Sequence, residues 1–92
     1  MDEFISYIKS NLNLNNFTLI KTTTNKAVIF KMFNKYTKCI YINMLDESIE
    51  IKIHKVFDDT YYRKGIERLI ISNTCFDNFN DTLAYIKKNI AI

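Results

Sequence analysis

The residues best suited to covalent or acid–base chemistry are the single histidine, His54, and the two cysteines, Cys39 and Cys75. Proton transfer at neutral pH would depend on His54, and a Cys–His pair can act as a nucleophile with its base. The strand pairing derived below makes Cys39 and His54 neighbours on a flat sheet, which offers no pocket, oxyanion hole or third orienting group. The sequence therefore predicts a protein that is not an enzyme and has no catalytic residue.

Metal and cofactor sites are not expected either. The acidic pairs Asp46-Glu47 and Asp58-Asp59 could contact a divalent cation, but both lack the further carboxylates and the glycine of a calcium loop. One histidine and two isolated cysteines do not have zinc-ligand spacing. Because the chain has one glycine, it cannot form a glycine-rich phosphate loop. The acidic pairs are predicted to be solvated turns.

Composition limits the class of protein. The 92 residues are 48% hydrophobic and include no proline, which predicts one folded domain over residues 1–92. Thirteen basic and ten acidic residues are spread along the chain and give a net charge of +3, which permits an anionic partner without requiring one. The chain has no secretory apolar segment and no run that could span a bilayer, so the cytoplasm is expected, with both cysteines reduced.

The central element predicted from the sequence is a β-hairpin over residues 38–57, with strands 38–45 and 48–57. Apolar and polar residues alternate in both strands, as is typical of strands with one buried face. A reversal at Asp46-Glu47, or a four-residue loop over 45–48, brings the apolar residues of the two strands opposite each other. The predicted core face consists of Ile40, Ile42, Met44, Ile49, Ile51 and Ile53.

The other face of this hairpin pairs Tyr41 with Lys52 and Cys39 with His54, and we expect Tyr41, Lys52 and His54 to face solvent. Two earlier strands, 17–23 and 27–33, should form a second hairpin. A three-residue loop after the second strand predicts the pairs Met32–Ile40, Phe30–Ile42 and Val28–Met44 on the core face. It also predicts that the exposed face includes Ile29, Lys31 and Phe33.

Both ends of the chain predict amphipathic helices. Residues 1–12 have Phe4, Ile5, Ile8 and Leu12 at helical spacing, and the Asn-rich run that follows should end this helix. Asp77 is a suitable N-cap for the closing helix. The predicted buried side chains of that helix are Phe79, Leu83, Ile86 and Ile90.

The segment between the hairpin and the closing helix leaves two alternatives. Residues 58–65 are polar and predict an exposed loop, after which residues 67–72 fit a fifth strand, buried at Leu69, Ile70 and Ile71. Residues 61–71 also fit a helix capped by Asp59 or Thr60. Gly65 would cost the interior of that helix about 1 kcal/mol, which favours the strand.

These elements predict an α+β fold in the order α-β-β-β-β-(β)-α. A sheet with one continuous apolar face and two amphipathic helices is typical of a two-layer sandwich. We therefore expect an antiparallel sheet of four or five strands with the N-terminal and C-terminal helices on one face.

The expected function is protein binding, because Tyr and Arg are common at the energetically important positions of interfaces. We predict a small non-enzymatic inhibitor or adaptor that acts by stoichiometric contact. Frequent Ile, Lys and Asn indicate an A/T-rich genome, so a phage or mobile-element protein that blocks a host defence factor, such as an anti-CRISPR, fits the sequence. The predicted partner-binding residues are Tyr41, Lys52, His54, Tyr61, Tyr62, Arg63 and Lys64.

Three alternatives compete with this prediction. A small RNA-binding or single-stranded DNA-binding protein would stack bases on tyrosines and contact phosphates through basic side chains, although acidic residues interrupt the basic clusters. The tyrosines would be Tyr41, Tyr61 and Tyr62, and the phosphate contacts would be Lys31, Lys52, Lys55, Arg63 and Lys64. An immunity or antitoxin protein would be expected to have a more acidic surface. The face that carries Ile29 and Phe33 could instead complete the core or form a homodimer. No membrane contact is expected.

Overall fold

The computed structural model describes residues 1–59 and 65–91, and the side chains of residues 1–57 and 70–91. Five antiparallel strands are arranged in chain order between an N-terminal and a C-terminal helix. This architecture confirms the predicted α+β fold. The elements are α1 (Asp2–Asn11), β1 (Thr18–Thr23), β2 (Lys26–Met32), β3 (Thr37–Met44), β4 (Ile49–Asp59), β5 (Gly65–Phe76) and α2 (Phe79–Ile90).

The helix α1 begins with acidic residues and ends where the Asn-rich segment starts. Asp2 and Glu3 lie in the first turn, where the helix dipole favours negative charge, and Phe4 and Ile8 are buried. Farther along the segment, Asn15 and Asn16 have φ angles of 51° and 69°, a left-handed conformation that asparagine tolerates better than most residues. These two residues turn the chain from α1 toward β1.

The helix α2 is capped by Asn78, so the predicted cap at Asp77 was wrong by one residue. The Asn78 side chain accepts a hydrogen bond from the Asp81 backbone N–H at 2.8 Å. Asp77 instead accepts a hydrogen bond from the Asn78 side-chain amide at 2.8 Å. Asn and Asp are about equally good N-caps, so residue type alone does not decide between neighbouring candidates.

The predicted register of the central hairpin is confirmed. The strands β3 and β4 pair Met44 with Ile49, and the Leu45 N–H donates to the Ser48 carbonyl oxygen at 2.9 Å, which closes a four-residue loop. The apolar faces of both strands meet the two helices and form the core. Its buried members are Phe4, Ile8, Phe17, Ala27, Ile29, Ile40, Ile42, Ile49, Ile51, Ile53, Ile86 and Ile90.

The predicted register of β2 was wrong by three residues, which exchanges its two faces. Ile29 pairs with Ile40 and is fully buried, whereas Met32 pairs with Thr37 and is exposed. The loop between β2 and β3 explains the difference. The Phe33 N–H donates to the Tyr36 carbonyl oxygen at 2.7 Å, and the two rings stack with 5.0 Å between their centroids. This closure turns the chain earlier than a three-residue loop would.

The fifth strand is confirmed and is longer than predicted, and the helical alternative was wrong. Asp59 pairs with Gly65 at the distal end of the β4–β5 ladder, so positions 58, 59 and 65 of the predicted loop belong to strands, and positions 60–64 lie outside the described residues. The register shifts between Ile53 and His54, which leaves one extra residue in β5. The predicted burial of Ile70 and Ile71 was wrong because both side chains are exposed on this edge strand, and the side chain of Leu69 lies outside the described residues.

Candidate functional site

The sheet face opposite α1 and α2, here called the open face, is the first candidate contact surface. The buried residues of both helices pack against the isoleucines of the other face. In the part of the chain that the structure describes, no helix lies on the open face. Alternation along each strand gives this face the residues Thr18, Ile20, Thr22, Lys26, Val28, Phe30, Met32, Thr37, Cys39, Tyr41, Asn43, Glu50, Lys52, His54, Val56, Ile70, Asn73 and Cys75.

A mostly apolar row crosses four strands of the open face. Ile20 pairs with Val28, Val28 pairs with Tyr41, and Tyr41 pairs with Lys52. Ile20 is 45% exposed, while Val28 and Tyr41 are half-buried between their neighbours. This row therefore offers a partner an apolar strip that ends at a positive charge.

A cavity of about 370 Å³ opens at one end of the same face. Glu50 is held beside it, because its carboxylate accepts a hydrogen bond from the Asn43 side chain at 3.4 Å and lies 3.8 Å from the Lys52 Nζ. The cavity is large enough for a partner's side chain and offers it both charges and hydrogen-bonding groups. It is lined by Thr22, Lys26, Ala27, Tyr41, Ile42, Asn43, Glu50, Lys52 and His54.

The structure brings together three of the predicted contact residues, Tyr41, Lys52 and His54, on the open face. The predicted solvent exposure of His54 was wrong: His54 is 9% exposed and its neighbour Cys39 is 8% exposed. The Tyr41 ring lies edge-on to the His54 imidazole, with 5.1 Å between centroids, and helps to cover it. The other four predicted residues, at positions 61–64, lie outside the described residues.

A row of three lysines, Lys31, Lys38 and Lys55, is the second candidate surface. Lys31 pairs with Lys38 and Lys38 pairs with Lys55, so the three lie in register on β2, β3 and β4. This lysine row lies on the helix-covered face, two residues beyond the buried row of Ile29, Ile40 and Ile53 on each strand. At this end of the sheet, the buried isoleucines are therefore followed by a row of positively charged side chains.

Aromatic side chains border the lysine row. Phe33 and Tyr36 stack in the β2–β3 loop, and Phe57 lies 5.8 Å from Tyr36 between ring centroids. On the other side, Phe17 lies 6.3 Å from Phe33. These four side chains, here called the aromatic row, are buried or half-buried.

The lysines contact the aromatic row directly. The Lys31 Nζ lies 5.3 Å from the Phe33 ring centroid, and the Lys55 Nζ lies 4.7 Å from that of Tyr36. Such cation–π contacts hold an ammonium group at a ring face while leaving it partly solvated.

Lys38 also links the lysine row to α2. Its Nζ donates to the Asn89 carbonyl oxygen at 2.5 Å, in the last turn of α2, where the helix dipole favours a cation. Burial lowers the pKa of Lys38 below its ordinary value, and the neighbouring Lys55 lowers it further. The folded protein therefore holds the proton of Lys38 less tightly than the unfolded chain does.

Sequence reasoning recognised Lys31 and Lys55 as phosphate contacts but not the lysine row or Lys38. The correctly predicted β3–β4 register already places Lys38 opposite Lys55. The wrong register of β2 moved Lys31 to the other face and hid the alignment. The signal was therefore present in the spacing of the lysines, once the Asn34-Lys35 turn is taken as the centre of the β2–β3 hairpin.

No group of metal ligands is found among the side chains of residues 1–57 and 70–91. There, no three His, Cys, Asp or Glu side chains lie close enough together to hold a metal ion. The helices of the same ranges are too short or too polar to cross a membrane. Both cysteines are free thiols, with Cys39 buried and Cys75 exposed.

Comparison with protein-family models, curated proteins and solved structures finds no match to this chain. The open face and the lysine row therefore have to be interpreted from their geometry and charge.

Proposed function

We propose that this protein is a non-enzymatic binding protein that holds a protein partner against its open face, as an inhibitor or adaptor that acts by stoichiometric contact. The observation that carries this proposal is the exposure of large apolar side chains on that face. Met32 is 77% exposed and Ile70 is 66% exposed, in addition to Ile20. Large exposed apolar side chains on one sheet face favour an interaction site there.

The chemistry of the open face defines the partner surface. The apolar strip from Ile20 to Tyr41 favours a partner whose contact surface is apolar at its centre. Tyrosine, the residue type at position 41, often anchors interfaces. Lys26 and Lys52 at the cavity favour a carboxylate at the edge of the contact. The Glu50–Lys52 pair is long, at 3.8 Å, so Lys52 can turn to a partner's carboxylate at small cost.

The burial of Cys39 and His54 supports contact rather than catalysis. A nucleophile and its base must reach a substrate, and both side chains are at least nine-tenths covered.

The test compares two equally exposed apolar residues. Ile20 lies in the apolar row of the open face, and Leu45 lies in the β3–β4 loop; each is 45% exposed. Immobilised wild type, Ile20→Glu and Leu45→Glu are incubated with nuclease-treated lysate of the host cell, and bound proteins are quantified against the amount of bait.

The proposal predicts one protein bound to the wild type and to Leu45→Glu at a ratio near one to one, and lost from Ile20→Glu. Equal loss from both variants, or equal retention by both, would contradict it. Light scattering of the wild type alone should give a monomer mass. A dimer that Ile20→Glu dissociates would show that the occupant of the open face is a second copy of this chain.

A further inference from the structure

The lysine row is unusual because like charges lie directly opposite one another on adjacent strands. Lys31, Lys38 and Lys55 are register partners, and strands are about 4.8 Å apart, so the three Cα atoms span about 10 Å. Directly opposed like charges destabilise a sheet. Three lysines in line therefore need a reason beyond the fold.

Among the side chains of residues 1–57 and 70–91, which the structure describes, no carboxylate pairs with the lysine row. The ion pairs there join Lys21 to Asp2 and Lys52 to Glu50. Lys35 in the adjoining loop adds another exposed cation at the same end of the sheet. The aromatic rings and the carbonyl oxygens of Asn15 and Asn89 contact the three ammonium groups, but these partners are neutral and leave the net charge in place.

Each ammonium group has capacity for a further contact. A lysine has three N–H donors; Lys38 uses one of them for the Asn89 carbonyl oxygen, and Lys31 uses one for the Asn15 carbonyl oxygen at 3.5 Å. Lys31 and Lys55 also lie at ring faces, where the contact is electrostatic and leaves their remaining donors free to bind an anion. All three lysines and the rings of Phe33, Tyr36 and Phe57 are half-buried, so each also presents some surface to solvent.

We propose that the lysine row and the half-buried rings of the aromatic row bind single-stranded nucleic acid, with the lysines at successive phosphates and Phe33, Tyr36 and Phe57 against the bases. Proteins that bind single strands without sequence preference combine a basic track with aromatic side chains. In a duplex the faces of the bases are stacked on each other, so the aromatic row would have nothing to contact. This site is on the face opposite the open face and does not depend on the proposed protein contact.

The probe is a fluorescein-labelled oligothymidine of about 12 nucleotides, with the matching oligouridine and a duplex of the same length. Binding is followed by fluorescence anisotropy at several salt concentrations. Three phosphate contacts predict that log K falls against log salt with a slope of about −2. The duplex should bind more weakly than either single strand at every salt concentration.

The variants separate the lysine row from general positive charge. Lys31→Gln with Lys55→Gln should weaken binding about tenfold at low salt and reduce the slope to about −0.7. Lys26→Gln is the matched control, because Lys26 lies on the same strand as Lys31 but at its other end and on the open face. It should leave the affinity and the slope unchanged.

Folding and the open face provide further controls. Removing opposed like charges should leave the melting temperature of the double variant equal to or above that of the wild type. Ile20→Glu should retain oligonucleotide binding, so failure of the proposed protein contact does not affect this test.

Three results would overturn the proposal: no binding by the wild type at low salt, equal weakening by Lys26→Gln, or equal affinity for the duplex. Polyaspartate that displaces the oligonucleotide as effectively as unlabelled oligothymidine would instead assign the lysine row to an acidic protein surface.

Discussion

The two faces of the sheet carry similar apolar residues, but these residues are buried on one face and exposed to water on the other. On the helix-covered face, Ile40, Ile51 and Ile53 are completely removed from water by α1 and α2. On the open face, Ile20 and Met32 remain in contact with water although their strands belong to the same sheet. Burial of apolar side chains stabilises the fold only where another element covers them, so the exposed apolar residues of the open face contribute little to stability.

On the covered face, the buried core ends at the lysine row. The isoleucine rows are followed by the lysine row, which lies where α2 ends and Asn89 meets Lys38. The two proposals place protein contact and nucleic-acid binding on parts of the sheet that are separate from the buried core. Substitutions can test each assignment by itself.

The largest effect is expected from Ile51→Ala on the covered face. Removing this fully buried side chain should lower the free energy of unfolding by about 2–5 kcal/mol, because the helices cannot fill the cavity. Ile20→Ala is the matched change on the open face and should cost less than about 1 kcal/mol. Urea denaturation of both variants measures the contrast, and equal losses would show that the open face is also covered.

A smaller effect is expected from Asn78→Ala at the start of α2, the helix that covers one side of the core. Losing the hydrogen bond to the Asp81 N–H should lower the free energy of unfolding by about 0.5–2 kcal/mol. Asp77→Ala is the control and should change the unfolding midpoint much less. A larger loss of stability from Asp77→Ala than from Asn78→Ala would show that Asp77 is the N-cap.

The third prediction concerns pH at the boundary of the covered face. Because the pKa of Lys38 is lowered in the folded state, the unfolded chain holds this proton more tightly. The stability of the wild type should therefore rise, relative to Lys38→Met, as the pH increases through the folded pKa toward the ordinary lysine value. A stability difference between the wild type and Lys38→Met that stays constant as the pH rises would contradict the lowered pKa.

The smallest effect is expected where α1 meets β1. The Lys21 Nζ lies 2.8 Å from the Asp2 carboxylate, and this contact lowers the pKa of Asp2. Its contribution is present above the ordinary pKa of Asp and is lost as the pH falls through the lowered folded value. Asp2→Asn should reduce stability at neutral pH by less than Asn78→Ala does, and the difference from wild type should vanish in acid. A loss as large as that of Ile51→Ala would show that Asp2 has a role in the core.

The fold was predictable wherever polar and apolar residues alternate. In β4 the alternation identifies one face, so the β3–β4 register followed directly from Ile49 to Ile53. In β2 the residues Val28, Ile29 and Phe30 are all apolar, and the pattern cannot say which of them faces the core. The Phe33–Tyr36 closure of the loop decides it, and this contact depends on two rings meeting in three dimensions.

The candidate sites were also predictable only where alternation of polar and apolar residues identifies the strand register. Tyr41 and Lys52 were placed on the open face because they depend on one register, which was correct. The burial of His54 depends on the Tyr41 ring beside it, which alternation does not describe. The lysine row depends on two registers at once, so one wrong register concealed it.

The central claim is that the open face is the surface that meets the protein partner, and Cys75 allows the most direct test. Cys75 pairs with Glu50 on this face and is exposed, whereas Cys39 is buried, so a thiol-directed photo-crosslinker should attach to Cys75 selectively. The control carries Cys75→Ser with Ser6→Cys, which moves the crosslinker to an exposed position on α1.

After illumination in the lysate used for the binding test, crosslinked products are separated and identified by mass spectrometry. The account predicts one protein joined to the chain labelled at Cys75 and absent from the chain labelled at position 6. Crosslinking of that protein from position 6 but not from Cys75 would contradict it.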